Sequence, residues 1–222
     1  MSNKKMIMRF SALVRVTHWM YAISFIVLAI TGFMVTGSAL DWLEPLFGGL
    51  VGAMVVHRIA AVFLMGAIVI SLIVRPSEIL SWLKESFTFT ENDALFLLTF
   101  PYKFVGMKRE LPPQGFYNGG EKINSLIQII SGAVLIVSGL FMWLAPGITP
   151  LWVYPVHVTF MVIGTVGAIG HIYLAALNPL TNETARAMIM GDISEEYMIE
   201  NHRQWYEEVY LGKKKEDSKS PA

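Results

Sequence analysis

Four of the five histidines of this chain, His18, His57, His157 and His171, lie inside long apolar stretches; only His202 sits in a polar tail. An ionisable side chain within apolar sequence is costly and is a functional candidate by default. One such histidine would be read as hydrogen-bonding a neighbouring carbonyl, but four with coordinated positions need a shared chemistry. His157 and His171 are fourteen residues apart. At 100° per residue that spacing returns to within about 40° of the same direction, after a rise of roughly 21 Å. One helix face therefore presents two imidazoles at two depths. Two nitrogen ligands facing each other from neighbouring helices suit the two axial positions of a low-spin b-type haem iron. They underfill a tetrahedral zinc site. A proton relay through a membrane usually enlists Asp or Glu, and the spans hold neither.

The elements that must carry these histidines are apolar enough to cross a bilayer. The chain has 222 residues, is 54% hydrophobic and only 15% charged, against about 25% charged for an ordinary soluble domain. It has no cysteine, which excludes disulfides, thiolate zinc sites, iron–sulfur clusters and covalently attached haem. Spans are expected over about 12–36, 50–74, 123–144 and 151–176, each close to the twenty residues an α-helical crossing needs. The turn signal Ala145-Pro146-Gly147-Ile148-Thr149-Pro150 separates the last two. The expected fold is all-α, a four-helix transmembrane bundle over residues 1–182 followed by a cytoplasmic tail over 183–222, with Lys213–Ala222 disordered. Between the second and third spans, Ile79, Leu80, Trp82, Leu83 and Phe87 suggest a short interfacial helix.

Seventeen Lys and Arg balance seventeen Asp and Glu, but the basic residues are one-sided. The N-terminus, the loop between spans two and three, and the tail hold sixteen of them, and Arg58 is the remaining one. The positive-inside rule puts those regions, with both termini, in the cytoplasm. His18 and His171 then share the cytoplasmic leaflet, and His57 and His157 the outer one. Gly32 and Ser71, each fourteen residues beyond a histidine, leave room where the single-histidine helices pass the other site. Gly164 lies midway between His157 and His171, and Ser125, Gly132 and Gly139 form one stripe on the third span; close helix packing is the alternative use of such small residues. Arg58, and less directly Arg15 one turn before His18, match the planar anion of a haem propionate, with snorkelling as the alternative for Arg58. Without a nucleotide fingerprint or clusters of its own, the chain must take its electron donor and acceptor from elsewhere, and a lipid-soluble quinone is the natural acceptor. The polar turn Tyr117-Asn118-Gly119-Gly120 stands at the start of the third span; Asn118 there is a quinone contact or a helix cap.

The whole pattern resembles the cytochrome b (gamma) subunit of membrane-bound formate dehydrogenases. The resemblance is carried by Val14-Arg15-Val16-Thr17-His18-Trp19, Val56-His57-Arg58, Gly115-Phe116-Tyr117-Asn118-Gly119-Gly120-Glu121-Lys122, Gly170-His171-Ile172-Tyr173 and the tail run Asn201-His202-Arg203-Gln204-Trp205-Tyr206-Glu207-Glu208. The family segment before the third span usually reads Gly-Lys-Tyr-Asn-x-Gly-Gln-Lys, so Phe116 and Glu121 are departures from it. The resemblance implies two haems b, one on His57 and His157 and one on His18 and His171. It implies menaquinone reduced beside the inner haem, with Asn118, Gly120 and His171 as contacts and protons taken from the cytoplasm. It further implies a periplasmic-side iron–sulfur subunit fed by a molybdenum- or tungsten-containing formate-oxidising subunit. The expected location is the cytoplasmic (inner) membrane, with lipid around the spans and no nucleic-acid partner. His202 is expected at the surface with no metal role. Cytochrome b subunits of nickel–iron hydrogenases and thiosulfate-type reductases share the four-histidine plan and stay open as alternatives, as do a haem-free transporter and a structural anchor.

Overall fold

A computed structural model of the chain describes residues 4–37, 39–107 and 109–212; the stretch Lys213–Ala222, expected to be disordered, lies outside the described residues. The elements run β1 (Met6–Met8), α1 (Ala12–Val35), α2 (Glu44–Phe47), α3 (Gly49–Val74), α4 (Pro76–Ser86), α5 (Glu91–Thr99), α6 (Pro101–Phe104), α7 (Gly119–Leu144), α8 (Val153–Ile172), α9 (Glu183–Met190), β2 (Asp192–Ser194), α10 (Glu195–Asn201) and α11 (Arg203–Trp205). α8 runs on into a π-helical turn at Tyr173–Leu177. Four helices are long and apolar enough to cross a membrane: Ala12–Val35, Gly49–Val74, Gly119–Leu144 and Val153–Leu177. The chain divides into two compact units, one of Ser11–Ile79 with Ile127–His171, the other of Met1–Phe10, Leu80–Leu126 and Ile172–Ala222.

The first unit is a bundle of α1, α3, most of α7 and α8. Ser11 caps α1 by accepting from the Val14 amide at 3.4 Å, and donates to Glu78 Oε2 at 3.1 Å. α3 starts after a tight turn through Gly48 and Gly49, both at positive φ. A Cβ on Gly52 would lie 1.7 Å from the Phe47 carbonyl oxygen, so only glycine admits this approach. α3 ends at Arg75 because the residue before Pro76 is kept out of the helical region. Its buried residues Ala53, Ala60, Leu64 and Ala67 fall on one stripe, mostly small, which lets helices close on one another. Gly164 of α8 plays the same part, since an added Cβ would meet Phe25 of α1 and Ser131 of α7 at 3.1 and 3.2 Å. The outward faces remain apolar: Val51 is 81% exposed and Ile73 75%. Side chains of that kind facing outward along four helices match a lipid surround rather than water.

The second unit is built around a two-stranded antiparallel pair that an all-α reading does not contain, β1 with β2 in the register Ile7 opposite Ile193. Both isoleucines are buried. Thr90 and Asp93 form a reciprocal capping box at the start of α5. Asp93 also meets Lys122 at 2.8 Å, with both side chains buried. Gly119 lies against the Asp93 backbone so closely that a Cβ would come within 2.6 Å of its carbonyl oxygen. α7 begins at Gly119, four residues before the expected Ile123. Its first turn is closed by a second reciprocal box: the Glu121 amide donates to Asn118 Oδ1 at 3.0 Å, and the Asn118 amide to Glu121 Oε2 at 2.9 Å. Glu121, which lies before the expected start of the span, is what satisfies this turn.

Candidate haem-ligand sites

The bundle unit brings the four span histidines together as two pairs. His18 of α1 faces His171 of α8 with ring centroids 6.2 Å apart, and His57 of α3 faces His157 of α8 at 6.5 Å. Two imidazoles bound to one metal by bonds of about 2.0 Å stand with ring centres roughly 6 Å apart. Both pairs therefore already have the separation of axial ligands on a shared iron, and the residues present fit a b-type haem. Among the described residues no group of three or more His, Asp or Glu is arranged to hold a metal ion, so neither pair extends into a closed zinc site.

Glycines stand beside the second pair. A Cβ on Gly32 would be 3.7 Å from His57 Cε1, and one on Gly139 would be 3.3 Å from His157 Cε1. The same pair is held by hydroxyls that sequence reasoning did not pick out. Thr31 Oγ1 lies 2.8 Å from His57 Nδ1, and Ser138 Oγ lies 2.8 Å from His157 Nδ1. Their only signal in the sequence was a hydroxyl inside an apolar span. Arg58 is exposed, with its guanidinium 5.6 Å from the Trp143 ring centre, a cation–π contact that orients it on the bundle surface. Arg15 is half-buried in the first turn of α1.

A family model described as prokaryotic cytochrome b561 matches residues 9–191. The chain belongs to that family. It is a cytochrome b, a family with b-type haem chemistry. This cytochrome b is 26% identical over 216 residues to the formate dehydrogenase cytochrome b556(fdo) subunit of Escherichia coli strain K12, covering 94% of this chain and 96% of that one. It is 23% identical over 226 residues to the cytochrome b556(Fdn) subunit of the nitrate-inducible formate dehydrogenase of the same strain, covering 98% of each.

The second unit of the cytochrome carries Asn118 and Gly120. Asn118 spends its side-chain oxygen on the α7 cap, and a Cβ on Gly120 would come 3.3 Å from that oxygen. His202, expected at the surface, is instead fully buried. Its Nδ1 donates to the Gly115 carbonyl at 2.9 Å. Around it stand Arg9, Glu121, whose Oε2 is 4.0 Å from Nε2, and the Tyr197 ring. The polar tail folds back on the segment before α7, and that return buries the imidazole. Arg9 is buried in the same cluster, with Nη2 donating to the Phe116 carbonyl at 2.8 Å and its guanidinium 4.8 Å from the Phe116 ring centre. Phe116, where the family usually has lysine, thus packs under a cation instead of supplying one.

Burial first, and then Arg9, hold the His202 pKa well below its usual 6.5. The folded imidazole stays neutral where the unfolded one takes up a proton, so this unit loses stability as pH falls below 6.5. Limited proteolysis of the detergent-solubilised protein should accelerate in the tail between about pH 7.5 and pH 5, and less steeply in H202N. A cleavage rate independent of pH over that range would contradict the buried neutral assignment.

Proposed function

We propose that this cytochrome b is the membrane subunit of a formate dehydrogenase complex and carries electrons from a periplasmic-side iron–sulfur subunit to menaquinone reduced near the cytoplasmic side, with protons taken from the cytoplasm. The observation that carries this reading is the double histidine pairing, at 6.2 and 6.5 Å, inside one helical unit. It supports two haems b, with His57 and His157 binding the outer one and His18 and His171 the inner one. When bound, each haem supplies one-electron chemistry between ferric and ferrous iron.

The chain's own residues hold and orient. The imidazoles are fixed by helices packed through glycine and alanine, which keeps each pair at ligand spacing. Apolar faces exclude water from the path between the pairs. Arg58 faces the propionates of the outer haem in this reading and Arg15 those of the inner. Asn118 and Gly120 contact the quinone, with Asn118 offering its side-chain nitrogen while its oxygen remains on the cap. The one-sided lysines and arginines support cytoplasmic termini in the inner membrane. The likeness to two formate dehydrogenase cytochrome b556 subunits along nearly the whole chain supports a molybdenum- or tungsten-containing formate-oxidising partner.

Purification of the intact complex from its native membrane tests both parts. Two haems b per chain, reduced by formate and reoxidised by a menaquinone analogue, are the expected result. Fewer than two haems per chain overturns the haem count. Haems reduced by hydrogen but not by formate overturn the partner.

A further inference from the structure

We propose that Thr31 and Ser138 are positioning residues that, by accepting a hydrogen bond from each ligand of the His57/His157 pair, set the reduction potential of the haem bound there below that of the haem at His18/His171; this rests on the two-haem reading above. Each hydroxyl has a single hydrogen to give. Thr31 Oγ1 donates to the carbonyl of Val27, one turn back on its own helix, at 2.7 Å. Ser138 Oγ donates in the same way to the carbonyl of Val134. This back-bonding to the i−4 carbonyl is the usual refuge of a hydroxyl in an apolar helix. It uses the only proton each oxygen has to give. Towards the imidazole, then, each oxygen can only accept.

His57 Nδ1 and His157 Nδ1, each 2.8 Å from such an oxygen, must therefore carry their hydrogens. That assigns the tautomer of both rings and leaves both Nε2 lone pairs for the iron. The two arrangements are built alike but from different helices: α1 supports a ligand on α3, and α7 supports a ligand on α8. Both hydroxyls are buried, so no bulk water competes for the imidazole hydrogens.

The other pair is not built this way. His18 Nδ1 is buried with no hydrogen-bond partner among the described residues. A ligand imidazole that donates from Nδ1 becomes more basic at Nε2 and pushes more electron density onto the metal. Added density favours the ferric state and lowers the potential, one of the levers by which a protein tunes a haem. With two such bonds on one pair and His18 lacking one on the other, one electron leaving the His57/His157 haem and arriving at the His18/His171 haem moves downhill. The first haem is oxidised, the second is reduced, and no proton is needed between them. The asymmetry of two hydroxyls thus gives the bundle a direction, which matches inward electron flow.

The test uses the full complex carrying T31V, which keeps the side-chain shape without the hydroxyl, and separately S138A. Redox titration of the b-type absorbance, with low-spin electron paramagnetic resonance to tell the haems apart, reads each potential. The expected result is that both haems are retained and only the His57/His157 potential rises. The equilibrium ratio for transfer between haems should drop about twofold to tenfold per hydroxyl removed, the worth of one net hydrogen bond. T31S should restore the native value. Unchanged potentials in both variants, or a downward shift, overturn the proposal. So does loss of the haem from both variants, since the hydroxyls would then build the site without tuning it. A wild-type complex with only one haem per chain would instead fail the two-haem reading itself, and is recognised before any variant is made.

Discussion

On the two-haem reading, a H157A variant should lose one b-type haem and keep the other, so that the absorbance per chain falls to about half. If His57 and His157 together hold one haem, as proposed, losing either should cost that haem. H57A with H157A should therefore be no worse than either alone. H18A should remove the other haem, and H18A with H157A should remove both. The geometry behind this pattern is the separate facing of the rings at 6.2 and 6.5 Å, with both partners on α8 fourteen residues apart. Reduced-minus-oxidised spectra of the purified variants read it directly. Loss of both haems from one substitution would mean that the pairs are not independent.

The second large effect lies away from the histidine pairs. D93N should destabilise its unit by about 3 to 5 kcal/mol, the cost of leaving one member of a buried ion pair without its partner. Lys122 Nζ would lose the Asp93 carboxylate at 2.8 Å and keep only the Thr88 carbonyl at 3.0 Å. The reciprocal bonds of Asp93 with the Thr90 amide and hydroxyl would also weaken, so the cap of α5 goes with the pair. D93N combined with K122M should recover most of the loss, because it removes the stranded charge. Thermal inactivation of detergent-solubilised protein measures both. A double variant no more stable than D93N would show that the cap, rather than the charge, carries the effect.

The facing of the histidines in two pairs was legible in the sequence because it depends on two one-dimensional quantities. Residue number along an apolar span gives depth, and the 100° step gives face. Together they pair His18 with His171 and His57 with His157. The apolar spans were legible because a bilayer leaves so few residue types available over twenty positions. The cap at Asn118 was half legible: a polar residue at the head of the third span suits a cap, but the carboxylate completing it, Glu121, stands before the expected span of 123–144.

His202 was misread because its burial depends on a chain return from nearly ninety residues away, to the Gly115 carbonyl. Nothing local to Asn201-His202-Arg203 marks it as interior. The strand pair β1–β2 was missed for the same reason, since three residues at each end carry too little periodicity to announce a ladder between positions 6 and 194. Thr31 and Ser138 were invisible as a pair because each serves a ring on a different helix.

By itself the sequence determined the four apolar helices of this cytochrome and the spacing that puts two imidazoles on one face of α8. Only the tertiary structure decided how those imidazoles are held. A hydroxyl can accept from a ring on another helix only where packing brings the two within hydrogen-bond distance, and no periodicity along one chain encodes that meeting.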